Sequence, residues 1–337
     1  MRGLNRVTAA FGISILRTRS LDQLHSQPSP GPLASPAVDE GGAWLQAPDG
    51  WLEPSTSPMI VDVAWLRELT REYASHPVSS LRRLGGIWDD AFTTDIELSA
   101  FRGDTPYVWQ RRTYETSNYL ATISYTTARD PNGVLGVADE DGAFGAEVLL
   151  LAGVRYSRDL LDSVSEINFL LEHLPADCRE PLRLVDVGAG YGRLAHRLAA
   201  VAPDCEIYCV DGVPLSTAIC DAYLRYRGVG SRARVVPLTE LDRVPTPIRV
   251  ASNLWSFSEM SYEAVAWWLD WLVHAGVEFL FLVPNLPGFA LVSDGRTYLD
   301  LLASRGFRPW VSRPKYEDPV AERYAIYPAT YHLFRRS

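Results

Sequence analysis

The stretch that most constrains the fold is Leu182-Arg183-Leu184-Val185-Asp186-Val187-Gly188-Ala189-Gly190-Tyr191-Gly192-Arg193. It is a short apolar run ending in an acid, followed by glycines at every second position and then a helical pattern. A chain that leaves a buried strand and enters a helix within so few residues needs positive φ and close backbone approach, which glycine supplies because it has no Cβ. The spacing is GxGxG. Dinucleotide sites use GxGxxG, in which the third glycine serves helix packing and the helix N-terminus meets a pyrophosphate.

The chain on either side supports a strand-turn-helix at this point. DLLDSVSEINFLLEHL reads as a helix ending near Pro175, followed by strand LRLVDV, helix GRLAHRLAAVA, strand EIYCVDG and helix LSTAICDAYLRYRG. Strands ARVVPL and RVASNLW, helix SYEAVAWWLDWLVHAG, strand EFLFLVPN and helix GRTYLDLLASRG come next, with a closing pair near RPWVSR and TYHLFRR. This alternation predicts an α/β protein with a doubly wound, mainly parallel sheet covered on both faces, a Rossmann-like fold.

Upstream, VAWLRELTREYASH has apolar positions at helical spacing before Pro77, which predicts a smaller, largely helical N-terminal domain. The Pro, Ser and Gly content of residues 26–58 is too polar to offset ordering entropy and predicts a linker. The expected organisation is therefore a flexible segment and linker at 1–60, a helical cap or lid at 61–150 and a Rossmann-like catalytic domain at 151–337. In the cap, Trp88, Phe92, Tyr107, Trp109, Tyr114, Tyr119 and Tyr125 make an aromatic-rich stretch. Most are expected in the core, the others at a substrate mouth.

Charge and composition narrow the partners. With 32 basic against 41 acidic residues, a net charge of -9 and a pI near 5.2, the chain lacks the basic surface that phosphate binding needs, which argues against a nucleic-acid partner. A small neutral substrate fits, and a homo-oligomer is left open. No apolar run reaches the roughly 18 to 20 residues of a membrane span. MRGLNRVTAAFGISILRTRS lacks a clean apolar core with a small-residue cleavage site, which predicts a cytoplasmic protein; a short amphipathic helix touching a membrane or partner is the alternative. Cys178, Cys205, Cys209 and Cys220 form no CxxC pair and are expected to be buried free thiols, Cys205 and Cys209 sharing one strand face.

A glycine turn preceded by an acid suits S-adenosylmethionine, which carries an amino group and a sulfonium cation and no phosphate. Asp186 is placed to compensate that charge. Asp211 ends the second strand 25 residues later, where a carboxylate can accept both ribose hydroxyls. Gly188, Gly190, Gly192 and Gly212 are expected beside the cofactor, with Asn253 near its methionine part and Ser256 close by.

These segments resemble the sugar O-methyltransferases of bacterial saccharide and antibiotic gene clusters, within the class I S-adenosylmethionine-dependent methyltransferase superfamily. The likeness rests on Val185 to Leu194, on Asp211, and on Asn253-Leu254-Trp255-Ser256-Phe257-Ser258-Glu259-Met260, and covers roughly Asn118 to Arg336. The chain departs from the family in Asp211-Gly212-Val213-Pro214, where an apolar residue is expected directly between acid and proline. The resemblance implies methyl transfer to a hydroxyl of a sugar or glycosylated natural product. A polyketide or phenolic hydroxyl is the alternative acceptor, and a non-catalytic cofactor-binding protein the alternative class.

A sugar hydroxyl is a poor nucleophile, so a positioned base that takes its proton is expected in the loops at the carboxyl ends of the strands. Glu259 is the first candidate, although an acid near the start of a helix is also favourable without catalysis. Of the six histidines, His332 in TYHLF is the second candidate. Asp294, Glu317 and Asp318 are scattered, and no metal is expected. Trp267, Trp268 and Trp271 form a packing stripe, with Trp268 expected to be free for an interface.

Overall fold

The structure, a computed structural model, describes residues 50–58, 61–78, 88, 93, 96–103, 107–108 and 114–336. The basic N-terminal stretch, most of the expected linker, Phe92 and Trp109 lie outside the described residues. Gln46 to Ser337 form one compact unit.

A small antiparallel sheet begins it, made of β1 (Gly50–Leu52), β2 (Val148–Leu151) and β3 (Val154–Tyr156). Strand β1 falls in the stretch expected to be linker. It is ordered by its apolar residues: the Trp51 indole donates to Thr116 Oγ1 at 3.0 Å and meets Tyr119 edge to face at 4.8 Å. The β2–β3 hairpin turns at Ala152-Gly153, both at positive φ, as a two-residue hairpin turn requires. Among the described residues of 61–150 the elements before β2 are helical, chiefly α1 (Val63–Ala74) and α2 (Thr116–Thr127). Asp62 caps α1 by accepting from Trp65 N–H.

Apart from short helical turns such as Val134–Val137 and Ala176–Arg179, the elements that follow, in chain order, are α3 (Arg158–His173), β4 (Arg183–Val187), α4 (Arg193–Val201), β5 (Glu206–Val210), α5 (Pro214–Tyr226), β6 (Ala233–Val235), β7 (Val250–Leu254), α6 (Tyr262–His274), β8 (Phe279–Val283), α7 (Leu299–Ser304), β9 (Phe307–Pro314), α8 (Pro319–Tyr324) and β10 (Thr330–Arg336). Seven strands form one sheet in the order β6-β5-β4-β7-β8-β10-β9. Counted from β4 the order is 3-2-1-4-5-7-6, with β10 antiparallel to both its neighbours and the pairings from β6 to β8 parallel. This is the doubly wound, Rossmann-like sheet that the alternation predicts.

Alternate residues of each strand enter opposite cores. Leu184, Phe279 and Phe281 pack with Leu160, Val164 and Leu198 from α3 and α4, while Val185, Val187, Leu280 and Leu282 pack with Trp268, Leu269 and Leu272 of α6. Trp268 is 1% exposed and lies in this core, against the expectation of a free surface ring; Trp267 and Trp271 are the half-buried members. All four cysteines are free and buried, as expected.

The helix expected at 295–306 spans only 299–304. Its first turn is diverted because Arg296 O accepts from Leu291 N–H, Thr297 Oγ1 donates to Gly288 O at 2.8 Å, and Gly295 has φ +73°.

Candidate functional site

The carboxyl ends of β4, β5 and β7 lie side by side, and the turns that leave them converge. Gly188, Gly190 and Gly192 have φ of +70°, +60° and +85°. Gly188 N–H donates to Val210 O at 2.8 Å, closing the turn onto β5. Each glycine faces something different. A Cβ on Gly188 would stand 2.0 Å from Ser256 Oγ, one on Gly190 would meet the Tyr107 ring at 3.7 Å, and one on Gly192 would press Cys220 Sγ at 2.9 Å. Gly192 therefore serves the packing of α4 against α5.

Two acids bracket the turn. Asp186 is buried, its Oδ1 accepting from Ser252 Oγ at 2.7 Å across the β4–β7 pair. Burial pushes its carboxyl up to about 7, with Glu166 and Asp211 adding to the rise and the Ser252 hydroxyl and Arg193 opposing it. Asp211 accepts from Gly190 N–H on Oδ2 at 3.0 Å and from Val213 N–H on Oδ1 at 2.8 Å, so it ties the glycine turn to the start of α5. Gly212 follows it beneath Val78, which would lie 3.8 Å from an added Cβ.

The segment after β7 is held just as closely. Asn253 Nδ2 donates to Val187 O at 2.8 Å and to Ser256 Oγ at 2.5 Å, and its Oδ1 accepts from Phe257 N–H at 2.9 Å. Each polar atom of that amide is engaged within the chain, which makes Asn253 a brace between the β4 and β7 turns. Trp255 between them has φ +71°, a backbone state that costs a non-glycine residue about 1–3 kcal/mol and persists only where its surroundings impose it.

Glu259 ends the short helical turn Ser256–Glu259. Its Oε2 accepts from the Trp88 indole at 2.5 Å and its Oε1 from Asn285 Nδ2 at 2.8 Å. Ser256, at the start of the same turn, touches the glycine loop. His332 is on β10, opposite Leu282 near the carboxyl end of β8, where Nδ1 pairs with Ser312 Oγ at 2.9 Å and the ring lies 4.6 Å from Phe289. Burial lowers its pKa to about 4.

Sequence reasoning missed the support beneath the turn. The Tyr191 hydroxyl donates to buried Asp159 on α3, and Asp159 pairs with Arg102 at 3.1 Å and Arg197 at 3.5 Å. Glu140 joins both arginines, at 2.6 and 3.2 Å. Alongside, Arg193 grips Glu166 with two bonds of 2.7 and 3.0 Å. The signal was present in Asp159, Ser163 and Glu166 at helical spacing, opposite Arg193 and Arg197 one turn apart. Trp88 and Tyr107 belong to the aromatic stretch expected to divide between core and substrate mouth, whereas Asn285 was not singled out. Tyr107 covers Gly190 and its hydroxyl shares a 2.9 Å bond with Ser216 Oγ, while burial raises its pKa.

Among the described residues no group of three or more His, Cys, Asp or Glu is placed to hold a metal ion, and no helix is long and apolar enough to cross a membrane. The donor set suits a ligand with an ammonium group and a diol. Two carboxylates at the strand ends would repel a pyrophosphate, and the nearby Arg193 is committed to Glu166.

Residues 145–242 match the family profile described as the methyltransferase small domain. No curated protein sequence matches the chain. Among solved structures the chain is similar to the mitomycin 7-O-methyltransferase MmcR, with 16% identity, 52% of this chain and 57% of that one covered, and a TM-score of 0.40. Magnesium protoporphyrin IX methyltransferase from Synechocystis PCC 6803, solved with bound SAM, gives 14% identity, coverage of 68% and 100%, and a TM-score of 0.40. The [4+2]-cyclase SpnF gives 17% identity, coverage of 66% and 97%, and a TM-score of 0.39. With its 3-2-1-4-5-7-6 sheet and the glycine turn at the end of the first of these strands, the fold is a doubly wound, Rossmann-like α/β fold, within which residues 145–242 are similar to the methyltransferase small domain.

Proposed function

We propose that this chain is an S-adenosylmethionine-dependent O-methyltransferase that acts on a hydroxyl of a sugar or glycosylated natural product. The observation that carries the reading is the contact of Ser256 with Gly188, which brings the turn bearing Glu259 against the glycine loop between Asp186 and Asp211. Asp211, beside the glycine turn, is the acceptor for a ribose diol, and Asp186 offers charge to an ammonium group. Gly188 and Gly190 give the ligand access to the backbone; Gly212, Asn253 and Ser256 shape the edge of the same crevice.

The cofactor supplies an activated methyl group on a sulfonium, so what remains for the protein is to place the acceptor oxygen in line with it and remove a proton. Glu259 takes the proton from the acceptor hydroxyl as the new C–O bond forms, then gives it to water. Residues from the cap, Val78, Trp88 and Tyr107, lie against Gly212, Glu259 and Gly190, which supports a lid that excludes water from the reacting groups.

The test is calorimetric titration of the full chain with S-adenosylhomocysteine, with NAD as control, followed by acceptor screening over glycosides and phenols. Saturable binding of the former alone, and a methylated glycoside as product, is the expected result; binding of NAD alone would overturn the reading. Glu259→Gln should then slow turnover about 100-fold with cofactor binding intact, whereas His332→Asn should leave it within about twofold, because His332 is held between Ser312 and Phe289 on β10.

A further inference from the structure

The Glu259 carboxylate is gripped by two neutral donors on different oxygens, one from each side of the chain. Asn285, just beyond β8, supplies Nδ2 to Oε1 and is itself fixed to the same turn, since its backbone N–H donates to Ser258 Oγ at 3.1 Å. Trp88 supplies its indole N–H to Oε2 from 171 residues away. Its ring lies 5.0 Å from that of Tyr107, tilted by 42°, and Tyr107 covers Gly190. A carboxylate that accepts a directed donor on each of its two oxygens has its plane set by them.

We propose that Trp88 and Asn285 are positioning residues that hold the Glu259 carboxylate in one orientation toward the acceptor, and that the indole makes this orientation depend on the seating of the cap over the glycine turn. The inference rests on Glu259 as the proton acceptor. Trp88 fills the role because it combines a donor for Glu259 with a ring face for Tyr107. Phenylalanine would keep the second contact and lose the first. A base whose carboxylate rotates freely spends part of its time with no lone pair aimed at the hydroxyl, and the cost falls on turnover rather than on binding.

The test uses the full chain with 15N-labelled tryptophan, and the indole resonance of Trp88 is identified by its loss in Trp88→Phe. That resonance should lie downfield, shift in Glu259→Gln, and shift again on addition of S-adenosylhomocysteine as Tyr107 yields to the ligand. Failure to move in Glu259→Gln would overturn the grip, whatever the reaction proves to be. With the acceptor found by the screen above, Trp88→Phe should lower kcat about 10-fold and leave acceptor KM and S-adenosylhomocysteine affinity within twofold. Trp88→Ala, which also removes the ring beside Tyr107, should change that affinity too. Equal loss of cofactor affinity in Trp88→Phe would mark Trp88 as a structural residue and overturn the proposal. Full activity of Glu259→Gln beside a shifted indole resonance would instead sink the base assignment, so the two failures are distinguishable.

Discussion

Ser256 Oγ occupies the space into which a side chain on Gly188 would grow, 2.0 Å from the position of its Cβ, and Ser256 Cβ is only 2.6 Å away. Gly188 is thus fixed twice, by φ +70° and by its neighbour. Gly188→Ala should lose about 1–3 kcal/mol from the backbone alone, with the clash adding to it, and should weaken S-adenosylhomocysteine binding at least about 10-fold. Ser256→Gly removes both contacting atoms, so the double variant should recover part of the loss, with a coupling of about 0.5–3 kcal/mol in urea denaturation. Strictly additive losses would show that the two residues do not press on one another.

Asp211 links the glycine turn to the start of α5, since it holds Gly190 N–H and Val213 N–H. Its replacement by Ala should remove charge-assisted hydrogen bonds worth about 1.5–3 kcal/mol, a loss of about 10- to 150-fold in S-adenosylhomocysteine affinity by calorimetry. Because the same change frees two backbone donors, some loss of stability should accompany it. Unchanged affinity would remove Asp211 from the cofactor site.

What could be read in the sequence follows from how local the signal is. The strand, glycine turn and helix from Leu182 to Val201 are written in consecutive residues, and so are the acids at 186 and 211. The bracing bonds of Asn253 were not, because one of them reaches the carbonyl of Val187 on another strand, 66 positions away. Glu259 was legible as an acid after the fourth strand of the order, but its donors Trp88 and Asn285 come from distant segments. Trp268 was misplaced because the spacing of three tryptophans fixes a stripe and not which member meets the sheet. Strand β1 was hidden by the polar composition around three residues whose partner lies about a hundred positions away.

The ionic cluster under the glycine turn carries a stability prediction. Arg102, Glu140, Asp159 and Arg197 have side chains at most 1% exposed, so removal of one partner leaves a buried charge without its counterpart. Asp159→Asn should cost about 3–5 kcal/mol, and because the Tyr191 hydroxyl bonds to Asp159, it should also loosen the turn. The pair Arg305–Asp270, with Asp270 66% exposed, is the control: Asp270→Asn should cost less than about 1 kcal/mol. Equal effects in urea denaturation would mean that the cluster is wetter than its burial indicates.

Asp186 makes the site sensitive to pH. Its carboxyl is raised to about 7 in the folded chain, against about 3.9 when unfolded, so folding favours the protonated form. Stability from this group is full below pH about 4, falls as pH rises through about 7 and is constant above it. Asp186→Asn lacks the step, so the parent should lose stability relative to this variant over that window and not beyond it. An ammonium group docking at Asp186 draws out the ionised form, so binding of S-adenosylhomocysteine at pH about 6 should release a proton from the carboxyl, and at pH about 8 it should not. Calorimetry in two buffers of different ionisation enthalpy reads this directly: at the lower pH the parent's heats should differ between buffers and those of Asp186→Asn should agree. Identical heats for the parent in both buffers at pH about 6 would mean that Asp186 keeps its proton when the ligand binds, and that the charge of the ammonium group is met elsewhere.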